Sequence, residues 1–355
     1  YGYHDTLGTM IAVSSYGISG GAGSLSLEAR SVNIENGAAI TAATAGNANG
    51  GDIHIRVEDS LNIWGYSDLK VLNPRDFTQY TLQKSFSKIT ASSANTDKNS
   101  GNSGTVSITA RNINVSEGGL ITTSTAGGGK AGDITLGASY LKLDGNALIA
   151  SESTLDENGG AAGTITVNAD SIRLSGNSDI TTEAVNTGSG EAADGRITVT
   201  AGEMLYLNKS GITTSVRGGY GKGGDIDIGE PDFVILNHGK IEANAYEGTG
   251  GNIRIVSGQF FQSSESRVEA SSEKGIDGNI NIESPDVDVS GGLAVMPEAP
   301  LNASKWQKTP CEHRDPEKMS RFVIRRKDAS PTSPDDWQPM HAWPAPDPSS
   351  GVPCE

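Results

Sequence analysis

Two pairs of carboxylates have the residue type and spacing that chemistry would require. Asp225 and Asp227 alternate with apolar residues in GGDIDI, and Asp286 and Asp288 do so in SPDVDVS. This alternation predicts that each pair lies on the outer face of one strand. Such a pair could bind Ca²⁺ or act as acid and base on a sugar. Neighbouring strands add no further Asp, Arg or Lys to complete a sugar-cleaving cleft, so we favour solvated surface.

Other chemical motifs are incomplete. The five histidines lack metal-binding spacing, and Cys311-Glu-His313 is too small a cluster for zinc. AGGGKAGD at 126–133 and GYGKGGD at 219–225 both lack the Ser or Thr that follows the lysine of a phosphate loop. We therefore expect no catalytic residue, cofactor or metal, and predict a protein that is not an enzyme.

The net charge and the cysteine content limit the expected partners and the expected cellular location. The formal net charge is -16, which argues against nucleic acid as a partner because phosphate backbones need clustered Lys and Arg. The two cysteines, Cys311 and Cys354, are interpreted as one disulfide in an oxidising location. Two free thiols are the alternative.

A repeat of about 29 residues decides the predicted fold. A Gly followed by alternating apolar residues recurs at these positions: Gly23, Gly51, Gly104, Gly132, Gly163, Gly195, Gly224, Gly251 and Gly278. A second alternating phrase follows about ten residues later, as in SVNI and SIRL, and then a third, as in AITA and DITT. Three short strands in each repeat predict one turn of a parallel β-helix.

The predicted molecule is all-β: a parallel β-helix of about nine three-strand turns over residues 1–301, followed by an irregular, Pro-rich tail over 302–355. A single turn cannot stabilise itself, because about six buried aliphatic side chains contribute roughly 9–18 kcal/mol, while ordering each residue costs about 1–2 kcal/mol. In the turn at 130–151 we expect Leu148 or Ala150 to face the core.

An insertion at 65–87 interrupts the second turn between its second and third strands. It contains Tyr66, Tyr80 and two of the six phenylalanines. One interpretation is a loop packed on the side of the rod; the other is a contact surface for a partner, because insertions on solenoids collect on binding faces.

The repeat and the ending together resemble the C-terminal β-helix of filamentous-haemagglutinin-like exoproteins of the two-partner secretion class. The repeat is seen at 20–55 and 162–184. The ending consists of Cys311, the strand phrase Ser320-Arg-Phe-Val-Ile and the Pro-rich SPTSPDDWQP, although Arg325-Arg-Lys-Asp stands where that family has a Gly-rich stretch.

The resemblance implies that the β-helix is right-handed. It also implies export through an outer-membrane pore of a Gram-negative bacterium and a place outside the cell or on its surface, in adhesion, biofilm or filaments. The sequence starts at Tyr1 and shows no signal peptide, as expected of a processed fragment or a piece of a longer protein. A surface polysaccharide or a neighbouring cell surface is a further expected partner.

We therefore hypothesise that subunits join head to tail through their C-terminal tail by strand addition. Candidate contact residues are Ile11, Val13, Phe322, Ile324, Trp337 and Trp343. The alternative function is a polysaccharide-binding or polysaccharide-cleaving β-helix, which a cleft with three or more convergent ionisable groups would favour.

Overall fold

A computed structural model describes residues 9–17, 20–73, 76–155, 159–185, 195–218 and 222–285. These residues form strands joined by short turns, and none of them belongs to a helix that could cross a membrane. The predicted disulfide and the tail contacts Phe322, Ile324, Trp337 and Trp343 lie outside the described residues, as do Asp286 and Asp288.

Three classes of strand build each turn of the solenoid. The first-phrase strands, which in several turns continue into the second phrase, are β2 (Leu25–Glu35), β4 (Ile53–Trp64), β8 (Val106–Thr109), β11 (Ile134–Asp144), β13 (Ile165–Ser175), β15 (Ile197–Asn208), β17 (Ile226–Gly229), β20 (Ile253–Val256) and β23 (Ile280–Glu283). Separate second-phrase strands are β9 (Asn112–Ser116), β18 (Phe233–Asn237) and β21 (Gln259–Gln262). The third-phrase strands are β1 (Met10–Ser15), β3 (Ala39–Thr44), β7 (Lys88–Ser93), β10 (Leu120–Thr125), β12 (Leu148–Ser153), β14 (Asp179–Ala184), β16 (Gly211–Val216), β19 (Lys240–Ala245) and β22 (Arg267–Glu269).

Parallel pairing between equivalent strands confirms the β-solenoid. One sheet stacks the nine third-phrase strands in the order β1-β3-β7-β10-β12-β14-β16-β19-β22, and a twelve-stranded sheet stacks the first and second phrases. The exception among the described residues is an antiparallel hairpin of β5 (Tyr66–Asn73) and β6 (Asp76–Phe86), which occupies the predicted insertion.

The described chain completes about eight turns, not the predicted nine. The nine Gly phrases each begin a first-phrase strand, but β23 opens a ninth turn whose remaining strands are not among the described residues. First and second phrases also merge into one strand in five of the turns, as β2, β4, β11, β13 and β15. In the seventh turn Pro231, which has no backbone N–H to donate, separates β17 from β18.

The core consists of apolar ladders that run along the axis. Ile134 aligns with Ile165, and Ile165 with Ile197, and all three side chains are fully buried. In the third-phrase sheet, Ile149 is the buried ladder residue between Ile121 and Ile180. Leu148 faces outward and is half-buried, so the expectation that it faces the core is wrong. Ala150 is fully buried although it occupies an outward register position.

The Gly column exists because backbones of successive turns approach too closely for a side chain. A Cβ on Gly132 would collide with the carbonyl oxygen of Gly104, and one on Gly163 with that of Gly132. Inward hydroxyls of the third strand satisfy the same carbonyl column: Ser151 Oγ donates to Gly132 O at 2.9 Å and Thr182 Oγ1 donates to Gly195 O at 2.9 Å. The buried polar backbone is therefore paired, as a dry core requires.

Candidate functional site

Asp225 and Asp227, the carboxylate pair singled out from the sequence, are engaged in contacts between turns. Asp225 accepts hydrogen bonds from the backbone N–H of Asn252 at 2.8 Å and from Lys222 Nζ at 3.2 Å, and forms an ion pair with Arg196 at 3.2 Å. Asp227 lies 3.5 Å from Arg254. Within the described part of the chain, no cluster of three or more His, Cys, Asp or Glu has metal-binding geometry.

The hydrogen bonds explain the protonation state of Asp225. Burial acts to raise its pKa, but the N–H of Asn252 and the charges of Lys222 and Arg196 outweigh burial and hold the pKa below its ordinary value. This carboxylate stays ionised and links three turns.

The same structural role recurs wherever Asp follows the Gly column. Asp52 Oδ1 accepts from the backbone N–H of Thr105 at 2.8 Å, and Asp133 Oδ1 accepts from that of Thr164 at 2.7 Å. Each carboxylate therefore binds the equivalent position one turn later. The repeated Gly-Asp phrase was the sequence signal for this role, which sequence reasoning missed.

A second carboxylate pair, not identified from the sequence, lies on the third-phrase sheet. Glu152 and Glu183 are register neighbours on β12 and β14, and Arg217 contacts Glu183 at 2.8 Å. Burial raises the pKa of Glu152 and the nearby Glu183 raises it further, while Arg217 opposes the rise. Glu183 is therefore the partner of the arginine, and Glu152 is the group that is costly to ionise.

The corner between the second and third strands forms a continuous column of left-handed residues in turns three to seven, and the surface depression along it extends into turn eight. The corner residues Glu117, Asn146, Asn177, Lys209 and His238 all have a left-handed backbone, with φ between 50° and 63°. Backbone hydrogen bonds stack the corners, including Asn177 N–H to Lys209 O at 2.9 Å and Lys209 N–H to Asn237 O at 3.0 Å. We call the surface depression along this column the corner groove.

The far half of the corner groove, in turns five to eight, is a cavity of about 460 Å³ that collects both signs of charge. Its cationic and titratable groups are Lys209, Lys240, Arg267 and His238, and its carboxylates are Asp179, Glu242 and Glu265. The closest opposite-charge contact within this set is His238 Nε2 to Glu265 Oε2 at 3.8 Å. More than three ionisable groups therefore converge here, which sequence reasoning did not predict.

The near half of the corner groove, in turns three and four, lies beside the hairpin and is more apolar. Here a cavity of about 610 Å³ is lined by Tyr66, Lys84 and Phe86 of the hairpin, and by outward-facing Leu120 and Leu148 of the solenoid. The Tyr66 and Phe86 rings meet edge to face with centroids 5.7 Å apart, and Lys84 Nζ lies 3.9 Å above the Tyr66 ring. This half offers aromatic surface.

The predicted contact residues Ile11 and Val13 lie at the first end of the solenoid. They align with Ile40 and Ala42 in the inward ladder of the third-phrase sheet. Ile11 is 51% exposed because, within the described residues, β1 pairs on one side only. At the other end, the ladder residues Ile280 and Ile282 of β23 are 40% and 38% exposed.

A scan of protein-family models, a search of curated proteins and a search of solved structures each returned no match to this chain. The β-solenoid therefore rests on the parallel sheets themselves, and it is consistent with a β-helix family. The resemblance to filamentous haemagglutinin remains a proposal.

Proposed function

We propose that this chain is a non-catalytic structural rod that assembles end to end into filaments outside the cell. The observation that carries the proposal is the exposure of inward ladder positions at both described ends, at Ile11 and at Ile280 and Ile282. A second copy stacked on the axis would bury these isoleucines and pair the edge strands, and edge strands are ready templates for another chain.

The segment 302–355 supplies the proposed clasp between neighbouring subunits. Its sequence resemblance to the ending of filamentous-haemagglutinin-like exoproteins supports export through an outer-membrane pore, and a surface role in adhesion or biofilm. Phe322, Ile324, Trp337 and Trp343 would provide its apolar contacts, and Cys311–Cys354 its cross-link.

The end-to-end proposal is tested by charging the ladder at one end. Ile11→Lys should abolish filaments seen by electron microscopy and reduce the sedimentation coefficient to that of a single rod, because a buried ammonium cannot continue an apolar ladder. The matched control is Met10→Lys, which alters the adjacent, outward-facing and 57% exposed residue and should leave filaments intact.

Filaments of Ile11→Lys that match the wild type would refute end-to-end stacking, as would a wild-type protein that stays a single rod at high concentration. Deleting residues 302–355 tests the clasp separately. Filaments of unchanged length after this deletion would remove the tail from the assembly.

A second candidate function, polysaccharide binding, is favoured by a different observation. Seven ionisable side chains line the far half of the corner groove. A cleft with three or more convergent ionisable groups is the feature that was expected to favour this function. Its cations suit carboxylate or sulfate groups and its carboxylates suit hydroxyl donors.

A further inference from the structure

We propose that the corner groove binds a linear anionic polysaccharide lying parallel to the solenoid axis. This inference names the site and ligand class for the second candidate function and is independent of filament assembly. It rests on the continuity of the groove, on the distribution of aromatic and charged side chains along it, and on a buried acceptor without a partner.

The two cavities belong to one groove because their walls are consecutive turns. Leu148, which lines the apolar half, is the register partner of Asp179, which lines the charged half. The backbone N–H of Asn146 donates to Gly176 O at 2.8 Å across the same boundary. At about 4.8 Å for each turn, the corners of turns three to eight span about 24 Å, a length suited to several units of an extended polymer.

The inserted hairpin defines one end of the groove. It leaves the solenoid at the corner of the second turn, between β4 and β7, and its Phe86 ring packs where a side chain on Gly118 would otherwise be. Tyr66, 42% exposed, remains available above this contact. An exposed tyrosine held by a neighbouring ring provides a flat apolar surface for a sugar ring, while its hydroxyl remains able to hydrogen-bond.

In the charged half, Gly211 leaves room for the polar side chains of its neighbours in the adjacent turns. Asp179, Gly211 and Lys240 occupy the same outward register position on β14, β16 and β19. A Cβ on Gly211 would lie 2.5 Å from Lys240 Cε and 2.9 Å from Asp179 Oδ1, so the missing side chain is what gives these two groups their place in the groove.

Unmet polar capacity in the charged half points to a ligand with both anionic and hydroxyl groups. Asp179 Oδ1 is buried and has no hydrogen-bond partner among the described residues. No ion pair within 4.0 Å is found for Lys209 or Lys240 in that same part of the chain. A sugar hydroxyl can donate to the carboxylate, and uronate or sulfate groups can accept from the lysines. An anionic polysaccharide carries both kinds of group and therefore makes both sets of contacts at once.

The local lysines matter more because the molecule as a whole is acidic. With a net charge of -16, the chain repels polyanions in general. A polyanion that binds must therefore contact the cations of the groove directly, because three carboxylates line the same half, and its affinity must fall as salt is added. An uncharged polysaccharide would leave Lys209 and Lys240 without an anionic partner, whereas Arg267 already lies 3.9 Å from Glu269.

The test uses the full chain and measures binding of alginate oligosaccharides, a carboxylated linear probe, by titration calorimetry. Lys209→Gln combined with Lys240→Gln should weaken binding about fivefold to tenfold, and Tyr66→Ala should weaken it about fivefold. The matched control combines Lys98→Gln with Lys142→Gln, which removes the same charge from exposed or half-buried positions outside the groove and should change affinity less than twofold.

Parallel titrations with other polymers distinguish a sulfated ligand from a carboxylated one. Dextran sulfate that binds through the same lysines supports a sulfated ligand, and alginate alone supports a uronate. Neutral dextran binding as tightly as alginate would overturn the proposal, as would an equal loss in the control variant or no binding by either anionic polymer. Poly-glutamate that binds more tightly than both, through Lys209 and Lys240, would reassign the groove to an acidic peptide.

Filament assembly is scored on the same groove variants. Because Ile11 and Ile282 lie at the ends and not in the groove, these variants should assemble like the wild type. Loss of saccharide binding with intact filaments would support the groove independently of assembly. Loss of both with an unchanged melting temperature would mean that the groove serves subunit contact instead, and would overturn the proposal.

Discussion

At the residue scale, seven of the nine glycines that begin the turns are required by backbone contact and not by a ligand. The carbonyl of one column residue occupies the space of the next residue's missing Cβ, as between Gly104 and Gly132. A glycine elsewhere on the same strand is under no such constraint. A Cβ on Gly137 would meet only the side chain of Thr109, with Oγ1 at 3.8 Å and Cγ2 at 3.9 Å, which are ordinary contacts.

This contrast predicts different outcomes for one chemical change at two sites. Gly132→Ala should lower the free energy of unfolding by about 1–3 kcal/mol or more, because backbone must move to admit the methyl group. Gly137→Ala should change it by less than about 1 kcal/mol, or raise it by restricting the unfolded chain. Chemical denaturation of both variants measures the difference, and equal losses would contradict the close stacking of the Gly column.

At the element scale, the third strand of each turn performs two tasks through its alternation. Inward positions alternate between ladder isoleucines such as Ile180 and hydroxyls such as Thr182, which donates to Gly195 O. Outward positions, such as Thr181, contact the neighbouring turn at the surface, where Thr213 Oγ1 donates to Thr181 Oγ1 at 3.1 Å.

Replacing adjacent threonines by valine separates these tasks. Thr182→Val should lower the free energy of unfolding by about 1–3 kcal/mol, because the buried Gly195 carbonyl loses its hydroxyl donor. Thr181→Val, on the outer face, should stay within about 0.5 kcal/mol of the wild type. Thermal unfolding monitored by circular dichroism checks the pair; a larger loss for Thr181→Val would show that the inward hydroxyl is not structural.

At the scale of the whole molecule, stability is shared between turns and should decrease toward the ends. A central strand such as β13 has parallel partners on both sides, whereas β23 is paired only with β20 within the described residues. In stacked repeats each unit contacts only its neighbours, so an end unit lacks one stabilising interface.

Hydrogen exchange should therefore follow the axis. In dilute protein, amide protons of β13 should exchange at least about tenfold more slowly than those of β23, because a strand that is paired on one side can open without global unfolding. Mass spectrometry at two protein concentrations gives the measurement. Protection of β23 should increase with concentration if copies stack; equal protection of β13 and β23 in dilute protein would contradict an open end.

The sequence alone determined how one turn of this solenoid is built, because every turn repeats the same pattern. Equivalent positions stack on each other, so no knowledge of contacts between distant parts of the chain is needed. The Gly column, the apolar ladders and the site of the insertion after Trp64 all follow from that period. One matter depended on the corner before the third strand, namely which residue of Leu148-Ile149-Ala150 faces inward. Alternation does not carry through this corner, because its length varies: three residues separate β11 from β12, and two separate β15 from β16.

Only the tertiary structure decided where the candidate binding surfaces lie. Asp179, Gly211 and Lys240 are separated by about 30 residues each, and the sequence does not show that they form one line until the register is known. The same stacking assigned Asp225 to a link between turns and placed the hairpin at one end of the corner groove. The physical reason is that each groove wall consists of residues that are neighbours in space and one turn apart in the chain. Their side chains point outward, and the repeat pattern does not fix the residue type at outward positions.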